Sequence, residues 1–151
     1  MPALTIPSPV GALTITEEGS YLTRLSWRQT PARDDTPLLR EARSQLAGFF
    51  TGTLKIFDLP LAPSGSEFHR RVWESLSKIQ FGQTLTYAEL ATKLDTAPRA
   101  IGGACARNPI PILIPCHRII GTNAAEGGYS GGDGLETKAY LLEFEREHAQ
   151  K

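Results

Sequence analysis

Cysteine is scarce in this sequence, and its scarcity excludes two kinds of protein. Only Cys105 and Cys116 occur among 151 residues. Two thiols cannot build the disulfide framework of a small secreted domain, and their spacing matches no zinc-binding pattern. A reducing compartment fits best, so we expect a cytoplasmic protein that binds no metal.

Long apolar runs and an excess of one charge are also absent. No run approaches the roughly twenty residues that a membrane span requires, and no basic leader with an apolar core opens the chain. Sixteen basic residues balance sixteen acidic ones, so the total charge indicates no partner. Between residues 70 and 118, however, seven basic residues outnumber three acidic ones. This local surplus is typical of a polyanion-binding surface or of an ordinary solvated one.

Hydrophobic periodicity divides the chain into two parts. Residues 3–27 alternate apolar and polar side chains between turn-forming segments, which predicts a small antiparallel sheet. A helix over 37–50 and a last strand within 51–57 should complete this part. The segment DLPLAPSGS is rich in proline, glycine and serine, so we place a domain boundary there. The predicted fold class is α/β of the α+β kind, with a sheet-and-helix domain over 1–62 and a mainly helical domain over 63–151.

Two short helices are predicted in the second domain, after a first helix over 66–79. Thr86 and Glu89 form a capping box at the start of one of them, and Pro98 suits the first turn of the other. Two short helices joined by about four residues are typical of a helix-turn-helix, but also of an ordinary helical hairpin.

The second of these helices contains residues that favour a nucleic-acid contact. Gly102 and Gly103 each weaken a helix by roughly 1 kcal/mol relative to alanine, which indicates that some surface must approach the backbone closely. Arg99 lies at the helix start, where a cation opposes the helix dipole unless it binds a phosphate or a base. The pattern therefore favours a recognition helix.

The stretch PILIPCHRII contains a candidate nucleophile, Cys116. A cysteine between apolar segments is more often simple core filling. Here Pro111 and Pro115 predict a stiff, extended approach to the sulfur. His117 and Arg118 add a base and a cation, which typically lower a thiol pKa. The combination favours a reactive thiolate.

A glycine-rich segment and the last helix complete the candidate site. EGGYSGGDG, at 126–134, is typical of a flexible linker, but it precedes a strong helix at 135–148, so we expect an ordered loop. Among the acidic residues of that helix, Glu145 alone shares a direction with the apolar side chains. A buried carboxylate needs a partner, and His117 is the candidate.

Taken together, these segments resemble the 6-O-alkylguanine-DNA alkyltransferases, a family of direct-reversal DNA repair proteins. The resemblance rests on FGQTLTYAELA, PRAIGGACARNPIPILIPCHR and GGYSGG, and extends to SPVGALTIT and QLAGFFTGTLKIFDLPL. It implies a ribonuclease-H-like N-terminal domain and single-turnover transfer of an alkyl group to the protein itself. The donor would be 6-O-alkylguanine, or less efficiently 4-O-alkylthymine, in double-stranded DNA bound through the minor groove. No cofactor, metal or obligate protein partner is implied.

The resemblance also implies a role for each site residue. Cys116 would accept the alkyl group, His117 would act through a water, and Glu145 would orient the histidine. Tyr87 would assist departure of the guanine, and Asn108 would hold the segment between the recognition helix and the active site. Pro111, Tyr129, Ser130 and Gly131 would line the base pocket, and Arg99, Ala100, Gly102, Gly103 and Arg118 would contact DNA, with Arg99 filling the space left by the flipped nucleotide.

Two other functions would use the same features. A cysteine hydrolase would use Cys116, His117 and Glu145 and would turn over repeatedly. A helix-turn-helix regulator would bind undamaged DNA tightly and would tolerate the loss of Cys116.

Overall fold

A computed structural model describes residues 1–27, 31–122, 128–129 and 131–149. Ser130, expected in the base pocket, lies outside these residues, as does part of the segment 126–134. None of the helices in the described ranges is long and apolar enough to cross a membrane. The α/β fold class is confirmed, because a small antiparallel sheet is followed by a mainly helical region.

The N-terminal part is a three-stranded antiparallel sheet covered by one helix. Alternation of apolar residues sets the strands, and their inward side chains, such as Ile15 and Leu25, pack with Leu39 and Leu46 of the helix. The helix begins after Thr36, whose hydroxyl accepts a hydrogen bond from the Leu39 N–H. The elements are β1 (Ala3–Ile6), β2 (Leu13–Glu18), β3 (Tyr21–Ser26) and α1 (Pro37–Phe50), with strand order β1-β2-β3.

The strand predicted within 51–57 is wrong. The N–H groups of Thr53 and Leu54 donate to the Gly48 carbonyl at the end of α1, so they cannot pair with a strand. Residues 60–62 instead lie along the open edge of β3, where the Leu22 N–H donates to the Pro60 carbonyl. The strand prediction failed because the carbonyl groups at the end of α1 lack partners within the helix and accept hydrogen bonds from this backbone.

The C-terminal part contains four helices and a short parallel ribbon. Its elements are α2 (Glu67–Leu76), β4 (Leu85–Thr86), α3 (Tyr87–Leu94), α4 (Pro98–Ala106), a 3-10 turn (Cys116–Arg118), β5 (Ile119–Ile120) and α5 (Leu135–His148). The predicted capping box is confirmed: Thr86 and Glu89 exchange both hydrogen bonds, at 3.0 and 2.8 Å. Helix α3 ends at Asp95, whose left-handed conformation turns the chain toward α4. The helix pair predicted from the sequence is therefore present.

The PILIP segment is a tight turn and not the extended approach predicted from its prolines. Ile112 has a φ of 74°, and the Ile114 N–H donates to the Ile110 carbonyl at 2.9 Å. Proline restricts only its own φ and that of the preceding residue, so the residues between the two prolines were free to turn. A β-branched residue at positive φ is strained, and such strain is held by buried packing at functional sites.

The two parts of the chain share one hydrophobic core. The Leu25 N–H of β3 donates to the Pro109 carbonyl at 2.9 Å. Phe49 of α1 contacts Phe81 and Phe144, with ring centres 5.7 and 5.8 Å apart. The Leu25 hydrogen bond joins the N-terminal sheet to the segment that leads to Cys116, and the aromatic contacts join α1 to the C-terminal part.

Candidate active site

Cys116 lies in the wall of a cavity of about 820 Å³ at the junction of the two parts. Its thiol is nearly buried, with a residue exposure of 7%. Six residues expected at the site from the sequence line the same cavity: Tyr87, Gly102, Asn108, Pro111, Tyr129 and Gly131. The end of β3 lines it too, through Arg24, Leu25, Ser26 and Trp27. The fold thus brings the reactive thiol, two phenols and an amide together.

Asn108 holds the turn that presents the thiol. Its side-chain amide donates to the Ile114 carbonyl at 2.9 Å, and its side-chain oxygen accepts from the Ile110 N–H at 2.9 Å. The Cys116 N–H donates to the same Ile114 carbonyl at 2.8 Å. One amide side chain therefore satisfies both ends of the turn and positions the sulfur.

Burial raises the pKa of the Cys116 thiol, whereas the Asn108 amide and the Lys138 ammonium act in the opposite direction. The expectation that His117 and Arg118 lower this pKa is therefore wrong. Both side chains lie in a different cluster, and the cation that acts on the thiol pKa is Lys138. The thiol is held as S–H, and it reacts once a base removes the proton.

His117, Glu145 and Arg118 form a buried polar cluster behind the thiol. Glu145 accepts from His117 Nε2 at 2.7 Å and from Arg118 Nε and Nη2, both at 2.8 Å. A longer bond of 3.3 Å comes from the Gly82 N–H. The predicted inward direction of Glu145 is confirmed, since its exposure is only 1%.

The hydrogen-bond partners of Glu145 determine the ionisation states in this cluster. Burial favours the neutral acid, but the hydrogen bonds from His117 and Arg118 and the positive charge of Arg118 prevail and lower the carboxyl pKa to about 2. Burial lowers the pKa of His117, even though Glu145 acts in the opposite direction. The pair is therefore a neutral imidazole beside a carboxylate. Because Nε2 donates to Glu145, Nδ1 keeps its lone pair, and it accepts no hydrogen bond from the described residues.

Arg118 does not lie where the sequence placed it. We expected it to contact DNA, but its residue exposure is 5%, and its Nη1 donates to the Ile79 carbonyl at 2.5 Å. Together with the two bonds to Glu145, this uses all three nitrogens of the guanidinium. Arg118 therefore has a structural role, because it keeps the Glu145 carboxylate ionised and fixed in position.

Lys138 is the functional residue that sequence reasoning missed. Its side chain is fully buried, and Nζ donates to the Ile119 carbonyl at 2.5 Å and the Gly128 carbonyl at 3.2 Å. The ammonium lies 5.8 Å from the centre of the Tyr87 ring. Helix periodicity could have identified Lys138 from the sequence. It precedes Glu145 by two helical turns, so the two side chains share their inward direction to within about 20°.

The two phenols of the cavity differ in their surroundings. Burial raises the pKa of Tyr129, whose buried hydroxyl makes no hydrogen bond with any described residue. Burial also raises the pKa of Tyr87, partly offset by the Gly128 N–H, which donates to its oxygen at 3.4 Å. Both groups remain protonated, so each can donate a hydrogen bond to a ligand.

Comparison with known proteins agrees with this arrangement. Residues 67–147 match the sequence model for the DNA-binding domain of 6-O-methylguanine DNA methyltransferase. Residues 3–63 match the model for the ribonuclease-like domain of the same protein. The chain belongs to the 6-O-methylguanine DNA methyltransferase family. Its resemblance to the alkyltransferases, inferred from the sequence, is confirmed.

Curated relatives match almost the whole length of the chain. The constitutive methylated-DNA--protein-cysteine methyltransferase of Bacillus subtilis is 41% identical over 94% of this chain and 93% of its own length. The enzyme of that name from Methanosarcina acetivorans is 38% identical over 91% of this chain and 94% of its own. Among solved structures, Mycobacterium tuberculosis OGT in complex with DNA superposes with a TM-score of 0.89, at 38% identity. The match covers 98% of this chain and 94% of the other.

Helix α4 carries the remaining residues expected to contact DNA, and Gly102 among them also lines the cavity. Arg99 is exposed near its start, and Ala100 is half-buried. A Cβ at Gly103 would meet no described atom within 4 Å, and one at Gly102 would meet only the Tyr87 ring, at 3.8 Å. Packing within the described part of the protein therefore does not require either glycine.

Proposed function

We propose that this protein repairs DNA directly, by transferring the alkyl group of 6-O-alkylguanine to the sulfur of Cys116 in a single turnover. One observation carries this proposal: a buried thiol shares a cavity with Tyr87, Asn108 and Tyr129 and adjoins the buried His117–Glu145 pair. Transfer from 4-O-alkylthymine, at lower efficiency, would use the same site.

The chemistry begins with removal of the thiol proton. Neutral His117 acts as the base, and a bridging water would carry the proton from Sγ to Nδ1, while Glu145 stabilises the imidazolium that forms. Lys138 and Asn108 favour the thiolate, because both lower the pKa of Cys116. Sulfur then attacks the alkyl carbon, and the bond between that carbon and the 6-oxygen breaks.

The leaving guanine takes the electron pair of the broken bond and needs a proton. Tyr87 is protonated and lies in the cavity wall, so it is the proposed donor. The product is a thioether, which water does not cleave readily. Each protein molecule is therefore consumed by one transfer.

Access to the cavity requires the modified nucleotide to leave the base stack. We propose that α3 and α4 form a helix-turn-helix on the minor groove, with Ala100, Gly102 and Gly103 at the DNA surface. The absence of internal contacts at Gly103 among the described residues supports this role, since the glycine weakens the helix without improving its packing. Exposed Arg99 would occupy the space of the extruded base.

The remaining assignments follow from the same proposal. The segments 1–62 and 63–151 would be two domains that pack on each other through the common core, the second carrying both DNA binding and transfer. Two free thiols suit a reducing compartment, so a cytoplasmic location is proposed. The reaction as written needs no cofactor, metal or protein partner.

Intact-protein mass measurement tests the function. After incubation with a duplex containing 6-O-methylguanine, one methyl group should be found on the wild type and none on Cys116→Ser. DNA affinity of that variant should stay within about threefold, because the sulfur contacts no phosphate. Cys105→Ser is the matched control, since burial raises the Cys105 pKa to about 12. Methylation of the Cys116→Ser protein would refute the assignment.

The same material separates the two alternative functions. A hydrolase would release product continuously, whereas transfer gives one equivalent and then stops. A regulator would bind undamaged DNA as tightly as modified DNA and would show no mass change.

A further inference from the structure

Trp27, which directly follows β3, packs on the backbone of the glycine loop. A Cβ built at Gly131 would lie 2.5 Å from indole Cζ3 and 2.7 Å from Cη2. One built at Gly132 would lie 2.5 Å from the Thr137 hydroxyl oxygen and 3.0 Å from indole Nε1. The indole therefore occupies the space where a larger residue at Gly131 would put its side chain, and it borders the corresponding space at Gly132.

The N-terminal sheet holds the indole in place. Trp27 Nε1 donates to the Val10 carbonyl at 2.9 Å, and a Cβ at Gly11 would lie 3.5 Å from Cδ1. Two residues earlier, the Leu25 N–H donates to the Pro109 carbonyl, next to Asn108. The end of β3 thus binds both sides of the cavity, the turn that carries Cys116 and the glycine loop.

Trp27 also lines the cavity that contains Cys116 and Tyr129. We propose that Trp27 determines specificity: as a fixed wall behind Gly131 and Gly132, it sets the largest alkyl group that the site accepts. This inference rests on the proposed transfer to Cys116. It assigns to the N-terminal sheet a direct part in substrate selection.

The proposal differs from a purely structural role in what it predicts for different substrates. If Trp27 only stabilised the fold, its truncation would slow transfer of every alkyl group by the same factor. If it limits size, truncation lets the glycine loop retreat and favours the larger group. The ratio of two transfer rates therefore decides between them.

The experiment compares single-turnover rate constants for duplexes containing 6-O-methylguanine and 6-O-benzylguanine. In Trp27→Ala the benzyl-to-methyl ratio should rise on the order of tenfold, the lower end of what a change in pocket size produces. Trp27→Phe keeps a ring in place but shortens it, and should raise the ratio less. Tyr21→Ala, on the same strand and exposed, is the control that should leave the ratio unchanged.

A second pair of variants tests the contact itself. Gly131 is outside the positive-φ region, so Gly131→Ala is tolerated by the backbone but collides with the indole. This variant should transfer methyl slowly, and adding Trp27→Ala should restore most of the lost rate. Equal slowing by Gly131→Ala with and without the indole would overturn the proposal.

The outcomes distinguish the two levels of inference. A wild type that transfers neither group would overturn the proposed function together with this one. A wild type that transfers methyl, with the same ratio in Trp27→Ala and Trp27→Phe, would overturn only the role of Trp27. Thermal melts identify a variant that fails to fold. If Trp27→Ala fails to fold, the ratio measured for Trp27→Phe decides between the two roles of the indole.

Discussion

Replacing Glu145 by glutamine tests the buried cluster most directly. The substitution keeps the shape of the side chain and one oxygen, but removes the charge that balances Arg118. Exposures of 1% for Glu145 and 5% for Arg118 leave little solvent to screen the guanidinium. Breaking a buried ion pair in this way typically costs about 3 to 5 kcal/mol.

We expect a loss near the lower figure, about 3 kcal/mol, because glutamine still accepts one hydrogen bond from Arg118. For a chain of this size, that loss corresponds to a melting temperature lower by roughly 6 to 12 °C. The transfer rate should also fall by about a hundredfold or more, since the imidazolium formed on His117 loses its counter-charge.

Urea unfolding and single-turnover transfer measure the two effects. Glu147→Gln is the matched control on the same helix, where the exposed side chain should change stability by no more than about 0.5 kcal/mol. The double variant Arg118→Met with Glu145→Gln should regain part of the stability, because no unpaired cation is left buried. A loss below about 1 kcal/mol for Glu145→Gln, or strict additivity in the double variant, would refute the reasoning.

Three further predictions concern DNA, the product and pH. Arg99→Ala should slow repair of duplex DNA far more than reaction with the free modified base, because only the duplex base must be unstacked, which costs a few kcal/mol. Equal slowing of both reactions would show that Arg99 acts on the transfer step or on folding. Methylation of Cys116 should lower the melting temperature, since an added methyl group in a packed site costs about 1 to 3 kcal/mol. Thermal melts before and after stoichiometric reaction, with DNA removed, measure this effect. An unchanged or higher melting temperature would show that the surroundings of the sulfur are packed more loosely. The free energy of unfolding should fall as pH drops from 6.5 to about 5, because burial lowers the pKa of His117 in the folded protein below 6.5 and the unfolded chain therefore binds the proton first. Urea unfolding across this range should show a weaker dependence of that free energy on pH for His117→Gln. An equal dependence in the two proteins would contradict the pKa shift.

Local patterns determined the elements that the sequence predicted correctly. The capping box of Thr86 and Glu89 joins residues three apart, so its hydrogen bonds form wherever that segment folds. The inward direction of Glu145 follows from helix periodicity alone. Cys116 and His117 could be predicted as a reactive pair because the two residues are neighbours in the chain.

Tertiary structure decided what each of these groups contacts. The family resemblance implied a DNA contact for Arg118, but α5 brings Glu145 against it and buries it. Trp27 lines the cavity and Lys138 lowers the pKa of Cys116, although the two come from opposite ends of the chain and no spacing in the sequence links either to Cys116. The backbone of 51–57 and of PILIP instead followed short-range hydrogen bonds, to the Gly48 and Ile110 carbonyls, which the residue pattern did not indicate. Spacing along a helix or strand sets which way a side chain points, whereas its partner, its charge and its burial depend on segments that only folding brings together.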